Sequence, residues 1–353
     1  MKAESYFLRL AHQTPTEFWI NNPTREQADL AIGQGATGCT NNPSFSQKMV
    51  DHPTEGSYAL KVMDETIRAV NQAQDVIAEY QRRLVKPICE KFLPVYQRGS
   101  ERKGFVSIQG DPLHEEDPDV IIREALENRK LSPNICCKIP TTQSGLQAMQ
   151  YLVGKGVPLN ATEIFGIHQA VVLCETYQEA SRKYGQAPVL YISHIAGIYD
   201  DYLQEVVRKD NIDIPPDVLW QAGLAVARKL YKIMEDRHYP GIFVAGGARG
   251  LHHFTEMVGG KVCCTINWEG TADRLIEQDP PVVYRLFNPV PQKVIDELIE
   301  KLPDFKRGYE EDGLAIEEFE DFGPVRLFRN SFIKSWKRVL DLINDQRMKL
   351  SVS

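Results

Sequence analysis

Eight short apolar runs recur along the chain, and most of the segments between them carry apolar residues at helical spacing. The runs read EFWINN (17–22), GATGCTNNP (35–43), GFVSIQGDP (104–112), NICCKIPTT (134–142), PLNATEIFG (158–166), VLYISHIAG (189–197), GIFVAGGARG (241–250) and KVCCTIN (261–267). Between two of them, 143–153 places Leu146, Met149, Tyr151, Leu152 and Val153 as a helix would. Strands that are apolar throughout and separated by helices are parallel strands buried on both faces. Eight such units are the number that closes a (β/α)8, or TIM, barrel. The pattern predicts an α/β fold: one domain over 1–353, with a barrel core at about 17–290. Extra helices are expected in the long connections 44–103, including a helical segment over 57–93, and 198–240. After Ile266 the chain reads as helical and charged: PQKVIDELIEKL (291–302), an acidic stretch (310–320) and a basic amphipathic stretch (327–350). These C-terminal helices, about 291–350, are read as packing over the barrel. The alternative is that their acidic and basic halves form a partner surface.

Each run passes at its end into Asn, Gln, Lys, Thr, Ser, Arg, Gly or Pro. In a barrel the C-terminal strand ends form the active face, so these side chains are the candidates. Composition then narrows the chemistry. With 353 residues, 42% hydrophobic and 25% charged, the chain belongs with soluble globular proteins. Forty-one basic and 48 acidic residues give a net charge of -7, which argues against a nucleic-acid partner and for a small-molecule one. No apolar run approaches the roughly 20 residues that span a bilayer, and MKAESYFLRL has no apolar core of signal-peptide length. A cytoplasmic protein without membrane contact is expected. The pattern sets no oligomeric state.

The seven cysteines include the adjacent pairs Cys136-Cys137 and Cys263-Cys264. Neighbours on a strand point to opposite faces and do not share one ion easily, so buried reduced thiols are expected, with no metal and no organic cofactor. The odd count fits a reducing compartment.

Lys138 stands in ICCKIP, charged among apolar residues. Burial disfavours its ammonium form and yields the neutral amine that a Schiff-base nucleophile requires. A strand-end lysine paired with a carboxylate fits the residue equally well. Asn21, Asn42, Gln109, Asn160, Thr162 and Ser193 occupy comparable positions on other runs, all neutral and able to donate or accept hydrogen bonds. Singly each reads as a cap or turn residue; together they suit a polyhydroxylated ligand around one amine, the chemistry of ketose aldol cleavage. Arg249 lies in the glycine-bearing loop AGGARG, a cradle for a phosphate.

At these residues the chain resembles the transaldolase family. TNNPS (40–44) resembles that family's TTNPS, KIPTTQSGLQAM (138–149) its KIPxTxxG lysine motif, LNATEIFGIHQA (159–170) its NxTxxFSxxQA, and GGARG (246–250) its ASFRN. All four occur in order at predicted strand ends, over about 18–267. The resemblance implies a transferase of the pentose phosphate pathway in which Lys138 attacks a ketose carbonyl, forms a Schiff base and passes a dihydroxyacetone unit to an aldehyde. It further implies that Asn42 holds a hydroxyl of that unit, Asn160 lies beside the lysine, Ser193 bonds the C1 hydroxyl, Thr162 positions a proton-shuttling water and Arg249 binds the substrate phosphate.

Several positions depart from the family. Asn21 stands where the family's first strand has the Asp that takes a proton from the C4 hydroxyl, and Gln109 where the third strand has a Glu that works with the Thr and water. Fructose-6-phosphate aldolases also have Gln there but add a Tyr where this chain has Ile195. Ile198 replaces a second phosphate arginine and Gly247 the serine of ASFRN. The departures leave open a fructose-6-phosphate-aldolase-like lyase with altered substrate, or a sugar-binding relative that has lost cleavage. His194 is the available acid–base substitute if it faces inward; strand alternation can equally point it outward, and the same objection meets Glu163. Asp111 keeps the parity of Gln109 and is a further candidate. His168, His252 and His253 read as surface or capping residues.

Overall fold

The computed structural model describes residues 4–70, 73–99 and 102–352. Eight strands close a parallel barrel in chain order: β1 (Glu17–Asn21), β2 (Gly38–Asn41), β3 (Phe105–Gln109), β4 (Ile135–Pro140), β5 (Leu159–Ile164), β6 (Leu190–His194), β7 (Ile242–Ala245) and β8 (Val262–Ile266), with β8 pairing back to β1. Each lies within one of the eight apolar runs, so the (β/α)8 expectation holds. Strands β2 to β6 and β8 are buried at every position, as a sheet with helices outside and side chains inside requires.

The long connections hold the extra helices. Phe45–Asp51, Gly56–Ala69 and Ala73–Arg98 fill the first, so the segment expected over 57–93 is two helices; Ala196–Asp210, Pro216–Leu219 and Ala222–Asp236 fill the second. Beyond the barrel, Gln292–Lys301, Pro303–Tyr309 and Gly323–Val352 are helical. The continuous helical reading after Ile266 fails over 279–291, where Pro280, Pro281, Pro289 and Pro291 remove backbone donors. The acidic stretch holds only the short turn Ile316–Glu318. Among the described residues no helix is long and apolar enough to cross a membrane.

Alternation sorts strand neighbours into two cores. Trp19, Phe105, Cys136, Tyr191, Val244 and Cys263 plug the barrel interior, whereas Cys137 and Cys264 join the apolar layer under the helices. Trp19 reaches across the axis to Tyr191, ring centroids 4.7 Å apart. Its ring lies against Gly38, where a β-carbon would come within 2.3 Å of it. All seven cysteines are buried and free of disulfides.

Candidate active site

Two residues further along, the plug gives way to polar side chains. Asn21 follows Trp19, Ser107 follows Phe105, Lys138 follows Cys136, Ser193 follows Tyr191 and Thr265 follows Cys263. A step of two keeps each facing the interior. Strand register then sets Gln109, Lys138 and Asn160 side by side across β3, β4 and β5, and Asn21 beside Thr40. A cavity of about 350 Å³ opens here, lined by Asn21, Asn42, Lys138, Ser193 and Arg249, with Phe328 and Phe332 from the C-terminal helix. Asn160 is buried behind this surface, donating to Ser107 Oγ (3.0 Å) and accepting from Ser193 Oγ (2.7 Å). Thr162 is fully buried and its hydroxyl has no partner among the described residues. A larger cavity, about 510 Å³, lies at the opposite end beside Glu17 and Lys261. It holds none of the candidate residues, and barrel chemistry belongs to the other face.

Lys138 is 8% exposed. Burial lowers its pKa to about 8, with Glu163 and Glu115 opposing the shift. Among the described residues it forms no ion pair; its Nζ stands 5.8 Å from the Phe332 ring centroid and 6.0 Å from that of Phe328. Asn21 sits in a neutral chain: its Nδ2 donates to Asn267 Oδ1 (2.9 Å), and its Oδ1 accepts from Thr40 Oγ1 (2.8 Å). Asn42 Oδ1 accepts from Asn22 Nδ2 and from the Ser44 amide and hydroxyl, so its own amide nitrogen is left for a ligand.

Arg249 is partly committed, since its Nε donates to Asp201 at 2.5 Å. A buried clamp holds its loop. The Arg249 backbone N–H donates to His253 Nδ1 (3.3 Å), His253 Nε2 donates to Asp200 (2.9 Å), and Asp200 accepts from the Gly223 N–H (2.7 Å). His252, His253 and Asp200 bring ligand atoms within 4.8 Å of one another, but Asp200 and His253 are already bonded to each other. Ile195, Ile198 and Gly247 line the cavity, so the family's polar groups are replaced there by apolar surface.

His194 is not in this set. It lies on the helix side of β6, its Nδ1 3.0 Å from the Ile164 carbonyl and its Nε2 3.2 Å from that of Gly223. Burial lowers its pKa to about 4. The outward alternative is the one realised, because the period of two that aims Ser193 inward aims its neighbour outward. Asp111 turns aside to the His114 ring and the Leu113 amide, both at 2.8 Å. His168 bonds the Leu314 carbonyl.

For Glu163 the alternation objection fails. The β5–β6 register shifts between Ala161 and Ile164, and Glu163 itself adopts a φ of 62°, so the bulge turns its side chain inward. It accepts from Gln109 Nε2 at 3.1 Å; the same nitrogen donates to Glu115 Oε1 at 2.7 Å. Arg329 of the C-terminal helix stands 3.5 Å from Glu115 Oε2. Burial pushes the Glu115 carboxyl well up, the neighbouring Glu163 adding to it. Burial also raises Glu163, against Arg329 and Lys138. The sequence named Glu163 only under the alternation objection and missed its pairing with Glu115: a bulge leaves no periodic signal, Glu115 lies in a loop, and Arg329 lies about 190 residues from Lys138 in a stretch read only as an amphipathic helix over the barrel.

Residues 18–323 match the transaldolase/fructose-6-phosphate aldolase family. Among individual relatives, the chain is similar to a transaldolase of Thiobacillus denitrificans, 25% identical over 66% of this chain and 68% of the relative. It is also similar to transaldolase 1 of Streptomyces avermitilis, 27% identical over 62% and 61%. A transaldolase of Mycolicibacterium smegmatis is 26% identical over 62% of each chain. The match thus spans between 61% and 68% of these relatives' lengths.

Proposed function

Because this chain belongs to the transaldolase/fructose-6-phosphate aldolase family, we propose that it is an aldolase-type enzyme in which Lys138 forms a Schiff base with a ketose and a dihydroxyacetone unit passes to an acceptor aldehyde. Family membership supports the reaction type and a sugar-like substrate. The observation that carries the mechanism is Lys138 itself: an amine lowered to about pKa 8 by burial, without an ion pair among the described residues, and facing a cavity with Asn42, Ser193 and Arg249. Its neutral form adds to the carbonyl carbon. The iminium then accepts the electron pair of the bond between C3 and C4 while the C4 hydroxyl gives its proton to water and becomes the carbonyl of the released aldehyde, leaving an enamine for the acceptor. Asn42 and Ser193 bind hydroxyls of the retained unit, with Asn160 orienting Ser193 from behind. The test is borohydride reduction with a panel of ketoses, followed by mass spectrometry. A reduced adduct on Lys138, absent in Lys138→Ala, is expected; its absence with every ketose overturns the reading.

The substrate end distant from Lys138 meets one guanidinium already paired with Asp201, beside Ile198. A phosphate there displaces the Asp201 carboxylate. The expected outcome is a weak preference for fructose 6-phosphate over fructose, and a strong one counts against this account of the cavity.

A further inference from the structure

The departures at Gln109 and Asn21 take away the carboxylates that the family resemblance places beside the nucleophile, yet the structure turns another carboxylate, Glu163, into the barrel, where it bonds Gln109, the register neighbour of Lys138. We infer that Glu163, turned into the barrel by the β5 bulge, is the group that moves protons during Schiff-base formation at Lys138, a role that rests on the Schiff-base reading above. Three observations support it. The bulge, with φ of 62° at a glutamate, is backbone strain held at a strand end on the active face, at a residue that an unbulged strand would aim into the helix layer. The side chain crosses from β5 to Gln109 on β3, and β4 with Lys138 is the strand between them. One carboxyl oxygen, Oε1, is held by Gln109, while Oε2 is buried without a hydrogen-bond partner among the described residues, as are Thr162 Oγ1 and Gln109 Oε1.

The step balances. Through a water molecule, because the two side chains form no ion pair, the Glu163 carboxylate takes one proton from the Lys138 ammonium. The freed amine forms the C–N bond as the carbonyl π pair moves to oxygen; that oxygen receives a second proton from nitrogen. Glu163 then returns the first proton to the new hydroxyl, which leaves as water with the C–O bonding pair. The iminium keeps the third proton and the positive charge, and Glu163 ends as a carboxylate. Gln109 suits this arrangement better than a glutamate: its amide nitrogen donates to Glu163 and Glu115 at once, where a third carboxylate would repel both. The negative charge of this buried pair is assigned to Glu163.

The charged and titratable groups facing Glu163 are Lys138 from β4, Glu115 from the loop after β3 and Arg329 from the C-terminal helix. The experiment compares wild type, Glu163→Gln and Glu163→Ala in the full chain, reading the rate of borohydride-trapped adduct on Lys138 with a competent ketose. Glu163→Gln is expected to slow trapping by about 10²–10⁴-fold. Formate added to Glu163→Ala is expected to restore at least tenfold of the loss, which a purely structural role would not allow. A Glu163→Gln rate within about threefold of wild type, or slow trapping in both variants with no formate rescue, overturns the inference while leaving the Lys138 reading intact. No adduct in wild type overturns both.

Discussion

Lys138 ties reactivity to pH with a definite sign. Burial holds its pKa near 8, so the neutral, nucleophilic fraction rises as pH climbs through that value and saturates above it; an exposed lysine would need a pH above about 10. Initial trapping rates measured against pH are therefore expected to climb to a plateau above about 8. Gln109→Glu makes the complementary prediction. It removes two N–H donors to carboxyls and buries a third acid, so urea unfolding is expected to report a loss of about 2–4 kcal/mol, with slower turnover. The polar residues at the strand ends were legible in the sequence because each sits an even step from an apolar plug residue: Asn21 from Trp19, Lys138 from Cys136, Ser193 from Tyr191. The same rule gave His194 two directions, and only packing against Gly223 and Phe243 shows which it takes.

Among the elements, the strands were readable because both faces are apolar, whereas their irregularities were not. The β5 bulge is set by pairing with β6, a long-range property that no local pattern in NATEIF encodes. Helices broken by the prolines of 279–291 were overextended for a related reason, since charge and apolar spacing persist where backbone donors are missing. Two element-scale outcomes follow from the packing. Gly38→Ala drives a β-carbon into the Trp19 ring, and a loss of about 1–3 kcal/mol is expected in thermal or urea unfolding. His253→Ala unclamps the loop after β7 and leaves Asp200 buried with one partner fewer. A higher KM for a phosphorylated ketose with a smaller change for the unphosphorylated one is expected from steady-state kinetics; equal changes would mean that the clamp does not act through Arg249.

For the molecule as a whole, the C-terminal helix Gly323–Val352 joins the barrel's chemistry to its stability. Phe328 and Phe332 roof the cavity, Arg329 faces Glu115, and Trp336, 1% exposed, anchors the same helix. Trp336→Ala is expected to cost about 3–5 kcal/mol and, at temperatures where the chain remains folded, to slow trapping as the roof loosens; thermal unfolding and adduct formation measured on one sample check both. The tail's placement over the barrel was legible from its amphipathic pattern, but its reach to Glu115 was not, because the contact joins residues more than 200 positions apart. The bulge at Glu163 also bears on how chains of this kind are compared. A survey that scores the third strand by itself would not separate this chain from the fructose-6-phosphate aldolases, which share its glutamine. Under the Glu163 inference, that glutamine together with an acid directly after the fifth-strand threonine marks a proton-moving carboxylate on the fifth strand, and that two-position signature can be sought in other chains.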